Sequence, residues 1–293
     1  ASGTPTVSFM IPDFTGHVLS NEHSDEVIAK YEAYTGTHVE WRTEANDTYS
    51  EKFGLTLMDK DNMPMITATG TAVTITEAGE NVFRACFTDP YQGEVMASYA
   101  YNKLGAKTAA IIYNVADDYS LGLAEAFEKT ATGLGMEIVA KEGYNKGDVD
   151  FKAQLTNIAS ANPDVLFIPV YYEDVALIAV QASEVGVKAK LLGGDGWDGL
   201  EGYATADQLK DSYFCACYAK GSSTEFEDAY KAEYGEAYPN GFAPLGYDAA
   251  MTVVYGIQAA EDAGLEAGTD EYKQAVIDAI AGGTIQGING TLT

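Results

Sequence analysis

Four short stretches of the chain carry the side chains with chemistry to offer. Ala68-Thr69-Gly70-Thr71 joins small residues, which leave backbone groups open, to hydroxyls that can bond a carboxylate or an amine. Asp117-Asp118-Tyr119 and Tyr171-Tyr172 add acidic and aromatic groups, and Asp195 stands beside Trp197. One acid amid aromatic walls and hydroxyls suits a small zwitterion, whose ammonium pairs with the carboxylate while the tyrosines cover an apolar tail. Taken singly, each residue reads equally well as a capping or surface group. As a set they all follow expected strands, at the carboxyl ends where open α/β sheets bind ligands.

The usual catalytic signatures do not occur. A phosphate loop needs a glycine-rich strand-to-helix turn ending in Lys-Ser/Thr, and none is found. The nearest glycine cluster, Gly193-Gly194-Asp195-Gly196, holds an acid that would repel phosphate. There is no GxSxG elbow and no calcium loop. His17, His23 and His38 lack metal spacing and read as surface residues. Cys215 and Cys217 stand two apart in an apolar run, on one face of an expected strand, and with Cys86 they read as buried free thiols. The expectation is a protein that is not an enzyme and that uses no metal and no cofactor.

Positioning such residues requires strands that end together, and the chain alternates strand and helix patterns. Strand-like runs are Thr6–Pro12, Thr37–Thr43, Met63–Thr67, Lys107–Tyr113, Met136–Ala140, Asp164–Val170, Ala189–Leu192 and Asp211–Ala219. Helical spacing covers Ser24–Thr35, Asp47–Lys60, Asp89–Gly105, Ser120–Gly135, Val149–Ser160 and Asp174–Gly186, then Ser223–Tyr234, Phe242–Gly264 and Thr269–Ala281. The segment between Thr67 and Asp89 reads as a Thr- and Gly-rich loop, and the end, IQGINGTLT, as a turn-rich strand. Continuous apolar strands between amphipathic helices imply parallel sheets covered on both faces.

The 293 residues are 46% hydrophobic and 21% charged, enough to bury one or two cores, with a prior of about two domains. A net charge of −27 repels nucleic acid and anionic lipid and suits an exported protein. No run approaches the roughly 18 apolar residues of a membrane span, and the opening Ala1-Ser2-Gly3-Thr4-Pro5 lacks the pattern of a signal peptide.

From about Asp61 to Thr293 the sequence resembles the branched-chain amino-acid binding family, the type I periplasmic binding proteins that deliver ligands to ABC transporters. The similarity rests on DNMPMITATGTAVT, ENVFRACFTDPYQG, KTAAIIYN with DDYSLGLAEAFE, FKAQLTNIASANPDVLFIPVYYEDVALIAVQASEVG, LLGGDGWDG and GFAPLGYDAAMTVVYGIQAA, in family order. The resemblance implies a ligand held by Gly70 and Thr71 on one lobe and by Tyr119 and Tyr171 on the other. Asp195 would face the ammonium and Phe242 would line the side-chain pocket. Residues 1–60 instead resemble a type II extracellular solute-binding lipoprotein, so the chain reads as a join of two lineages. A strand-loop-helix unit usual before PMIT is not seen, and the family usually continues beyond GTLT.

The expected architecture is α/β and two-lobed, each lobe a mostly parallel sheet flanked by helices, with the ligand cleft between. Lobe one comprises residues 1–106 and 222–284, and lobe two with the hinge comprises 107–221 and 285–293. The expected function is capture of a small, apolar, branched-chain-type amino acid by lobe closure, for a membrane permease of an ABC transporter. The protein is expected to be a monomer, outside the cytoplasm and lipid-anchored in its full-length precursor, with no nucleic-acid partner. Alternatives are a sensor domain of the same fold, or a chimeric or truncated chain with altered or lost binding.

Overall fold

The computed structural model describes residues 6–13, 29, 32–33, 38–45, 63–235, 237 and 240–292. The helices expected over Ser24–Thr35 and Asp47–Lys60 lie outside these residues, apart from Ala29, Glu32 and Ala33, which are helical; His17 and His23 also lie outside. His38 is exposed and lies 2.7 Å from Glu32 through Nδ1.

The fold is two-lobed α/β. Its larger sheet has five parallel strands in the order β6 (Glu137–Tyr144), β5 (Thr108–Asn114), β7 (Val165–Phe167), β8 (Lys190–Gly193) and β9 (Tyr213–Phe214). Alternation along β5 divides its side chains between two cores. Ala110 and Ile112 meet Leu155 of α4 (Lys152–Ala161) and Ile178 of α5 (Tyr172–Glu184). Ala109 and Ile111 meet Leu123 and Phe127 of α3 (Asp118–Gly133), where Phe127 stacks on Phe167 at 4.3 Å. A strand buried on both faces must be apolar throughout, which is the pattern KTAAIIY carries. Asp164 closes the lower edge by accepting the Lys107 and Thr108 N–H groups at 2.7 and 2.9 Å, bonds that hold its carboxyl below the usual range.

Helix α2 (Asp89–Asn102) packs on this sheet as well. Its Met96, Ala97 and Ala100 share the core of Leu123 and Phe127. Gly93 makes the approach possible: a Cβ there would sit 2.7 Å from the Leu123 carbonyl oxygen and the Phe127 nitrogen. The apolar face of α2 thus joins the core on one side of the five-stranded sheet.

Outside the five-stranded sheet lie the parallel pair β1 (Thr6–Asp13) and β2 (His38–Ala45), and a second parallel pair, β3 (Met65–Thr67) and β4 (Val82–Arg84). Helices α7 (Phe242–Asp262) and α8 (Asp270–Gly282) pack through Ala260, Val276 and Ile280, with Phe83 of β4 against them. The final segment is an antiparallel hairpin of β10 (Ile285–Gly287) and β11 (Gly290–Leu292), tied to α7 by Asp248.

Several boundaries differ from expectation for local reasons. Helix α3 starts two residues before Ser120 because Asp117 is its cap, accepting the Ser120 N–H at 3.2 Å. Strand β7 ends before Pro169, which has no N–H to continue a ladder. The strand expected over Asp211–Ala219 shrinks to Tyr213–Phe214: Asp211 turns at φ 57°, and β8 ends at Gly193, whose carbonyl takes the Cys215 N–H. Cys215 and Cys217 therefore share no strand face, and the three cysteines are free and half-buried. The expected loop after Thr67 contains α1 (Thr74–Glu77) and β4. Helix α6 (Thr224–Tyr234) begins after Ser223, whose Oγ accepts the Phe226 N–H.

Candidate functional site

Asp195 opens a 3-10 turn directly after β8 and is only 4% exposed. Its Oδ1 accepts the Tyr119 hydroxyl at 2.8 Å, and that same hydroxyl accepts the Gly196 N–H at 2.9 Å. The Asp195 N–H donates to Gln92 Oε1 at 2.8 Å, joining α2 to the turn. Trp197 plugs the core beneath, with its indole N–H on the Ile168 carbonyl at 2.8 Å. The glycines around the acid are required by proximity. A Cβ at Gly194 would lie 2.5 to 2.8 Å from Leu123 Cδ2, the Tyr119 hydroxyl and Gln92 Oε1, and one at Gly193 would strike the Trp197 ring.

Burial pushes the Asp195 carboxyl up, and the bond from the Tyr119 hydroxyl pulls it partly back. Burial and the neighbouring Asp195 hold the Tyr119 phenol well above its ordinary range, so this tyrosine stays a donor. Tyr171 stacks on Tyr119 with centroids 4.9 Å apart and is itself 51% exposed. The result is a buried acid held by one tyrosine hydroxyl beside a pair of stacked tyrosine rings, groups of the kind that can pair with a cation and cover an apolar neighbour.

The 67–73 loop follows β3 and is tied to Asp89 of α2. Arg84, at the end of β4, donates to the carbonyls of Gly70 and Ala72, both at 2.8 Å, and to Thr76 Oγ1 at 3.2 Å. Thr67 Oγ1 takes the Gly70 N–H at 2.9 Å. One guanidinium thus fixes the loop by its carbonyls, and Thr71 is buried. The Asp89 N–H donates to the Thr71 carbonyl at 3.0 Å, and the buried Asp89 carboxyl is pushed up to about 6, chiefly by burial.

Tyr119, Tyr171 and Asp195 come together, Gly70 and Thr71 lie in the loop that Arg84 and Asp89 hold, and Phe242 stands apart from the hydrogen-bonded group. Phe242 is half-buried at the first position of α7. The preceding Gly241 donates its N–H to Asp198 Oδ2 at 2.6 Å, which brings this helix start to the turn that follows Asp195. Sequence reasoning missed Arg84, Asp89 and Gln92. The signal available was the pair Asp89 and Gln92 three apart in DPYQG, polar residues on a helix face otherwise made of small and apolar ones. The thiols also approach the acid, with Cys217 Sγ 3.9 Å from Asp195 Oδ2.

A family model described as "Periplasmic binding protein" matches residues 54–293. The chain is similar to Leu/Ile/Val-binding protein homolog 3 of Brucella melitensis, 30% identical over 241 residues, which is 81% of this chain and 63% of the relative. The aligned region thus spans less than two thirds of that relative. A leucine-binding protein of Thermotoga maritima superposes with a TM-score of 0.79 at 27% identity, covering 98% of this chain and 90% of the other. A branched-chain amino-acid transporter substrate-binding protein of Streptococcus pneumoniae, solved with isoleucine, gives 0.78 at 24% identity, covering 99% and 91%.

Proposed function

The chain belongs to the periplasmic binding protein family, and from that premise we propose that it is the substrate-binding component of an ABC transporter, capturing an amino acid with an apolar side chain. The observation that carries this reading is Asp195, a buried acid held by Tyr119 under the Tyr119–Tyr171 stack. Members of the family bind substrates and do not transform them, and the curated relative above is named for leucine, isoleucine and valine.

In this reading the ligand ammonium pairs with Asp195, and its carboxylate meets the Gly70–Thr71 loop that Arg84 holds. Tyr119 and Tyr171 cover the apolar side chain, with Phe242 at its far end. Lobe two includes α2, so the chain crosses between lobes near 85–88 and again near 215–222. Closure about these crossings would bury the ligand and present the closed form to a membrane permease. The protein acts as a monomer outside the cytoplasm, lipid-anchored in its full-length precursor. Residues 1–60, whose sequence departs from the family opening, contribute the parallel β1–β2 pair that the topology requires there.

Thermal unfolding with leucine, isoleucine, valine and a set of small sugars tests the reading. A ligand at 100 times its Kd, binding only the folded state, adds about 2.7 kcal/mol of stability. Stabilisation by the aliphatic amino acids is expected; stabilisation by sugars alone overturns it.

A further inference from the structure

The first turn of α2 touches both halves of the site, although neither of its polar residues belongs to the expected binding set. Asp89 reaches lobe one, where its N–H holds the Thr71 carbonyl at 3.0 Å. Gln92, one turn on, reaches lobe two, where its Oε1 holds the Asp195 N–H at 2.8 Å. Both side chains are buried, at 2% and 0% exposure. Each keeps one atom without a hydrogen-bond partner, Asp89 Oδ1 as an acceptor and Gln92 Nε2 as a donor. Buried polar atoms left in this state are uncommon, because each forfeits its hydration. Gly122 of α3 leaves the space that the Asp89 carboxyl occupies: a Cβ there would lie 3.2 Å from Asp89 Cβ and 3.4 Å from Oδ2.

We infer that Asp89 and Gln92 are positioning residues that couple the carboxylate-binding loop to the ammonium-binding acid, setting ligand affinity without touching the ligand. The inference rests on the reading that an amino acid binds at Asp195. A ligand that closes Thr71 toward Asp195 must load both bonds of this one turn, and its ammonium adds a positive charge near two acids. The groups facing Asp89 are Thr71, Arg84 of β4, Asp117 before α3, Asp195 after β8 and the Cys86 thiol. Arg84 and Thr71 favour its ionised form, whereas burial, Asp195 and Asp117 oppose it. An ionised Asp89 attracts the ammonium, so binding strengthens as pH rises through about 6.

The test is calorimetric titration of leucine between pH 5 and 7 into the unaltered protein, Asp89→Asn and Gln92→Met. Asp89→Asn keeps the shape and removes the charge. Gln92→Met keeps the volume and removes the acceptor. The expected results are a shallower pH profile for Asp89→Asn and a Kd about tenfold weaker for Gln92→Met, the scale of one buried hydrogen bond. A parallel profile together with an unchanged Kd overturns the coupling. Should the unaltered protein bind no leucine, isoleucine or valine, the amino-acid reading falls, and ligand-free melting then decides the coupling. A group with a raised folded pKa destabilises the fold once ionised, so the melting-temperature gain of Asp89→Asn should widen from pH 4 to 7. A gap that stays constant over this range overturns the inference.

Discussion

Two of the three buried aspartates among the described residues, Asp248 and Asp195, are held in different ways. Asp248, inside α7, is fully enclosed by its partners. Its Oδ1 takes the Ile288 N–H at 2.7 Å, and its Oδ2 takes the Asn289 N–H and Nδ2 at 2.9 and 2.7 Å. Those donors belong to the turn of the closing hairpin, so the acid is a staple that fixes chain geometry. Asp195 takes the Tyr119 hydroxyl on Oδ1, and the Cys217 thiol lies 3.9 Å from Oδ2. Its carboxyl is held by side chains from other elements rather than by the backbone of one turn, and burial pushes its pKa up. Three N–H donors from one turn suit an acid that stabilises the fold, while a buried acid with a perturbed pKa suits a binding site, the role that the proposed function gives Asp195.

That contrast yields its sharpest test in substitution of the two acids. Asp195→Ala should weaken amino-acid binding at least about 100-fold, the cost of removing one partner of a buried charge pair, while calorimetry or circular dichroism still reports cooperative unfolding. Unchanged affinity would end the distinction. Asp248→Ala should do the reverse: urea unfolding should show a loss of about 2–3 kcal/mol from the orphaned turn donors, with leucine affinity of the folded protein nearly intact. Tyr119→Phe, which keeps the ring stack and removes the donor to Asp195, should cost about tenfold in Kd. Without that donor the Asp195 carboxyl rises further, so the loss of binding on acidification should begin at a higher pH. The smallest effect is expected at the staple's neighbour. A Cβ at Gly287 would lie 2.6 to 2.8 Å from the Asp248 carboxyl, and Gly287→Ala should lower stability by about 1 kcal/mol without altering binding, as urea and calorimetry together would show.

The five-stranded sheet was legible in the sequence because β5 is apolar on both faces and β8 runs straight into Gly193-Gly194-Asp195. The meeting of Tyr119, Tyr171 and Asp195 was legible for the same reason, since each follows a recognisable strand. What escaped was everything whose role depends on which element packs against which. Pro90 marks a helix start but carries no information on the core that helix joins, which only the packing of Met96 and Ala97 beside Leu123 reveals. Gln92 in isolation is an ordinary helix residue; only the 2.8 Å bond from Asp195 gives it meaning. Arg84 sat in a segment read as loop, and its hold on the Gly70 and Ala72 carbonyls needs β4 alongside β3. The boundary at Pro169 was foreseeable from its missing N–H, and the shortening of β9 was not, since it follows from where β8 happens to stop.

The turn at Asp195 has one more property. The Asp195 and Gly196 N–H groups donate to side chains, Gln92 and Tyr119, where neighbouring strands would normally offer carbonyls. Their protons are thus protected by the site itself, independently of the sheet's own ladder. Deuterium uptake at these two amides would follow the opening of the recess with no label attached, giving the protein a built-in clock for how often its acid meets water.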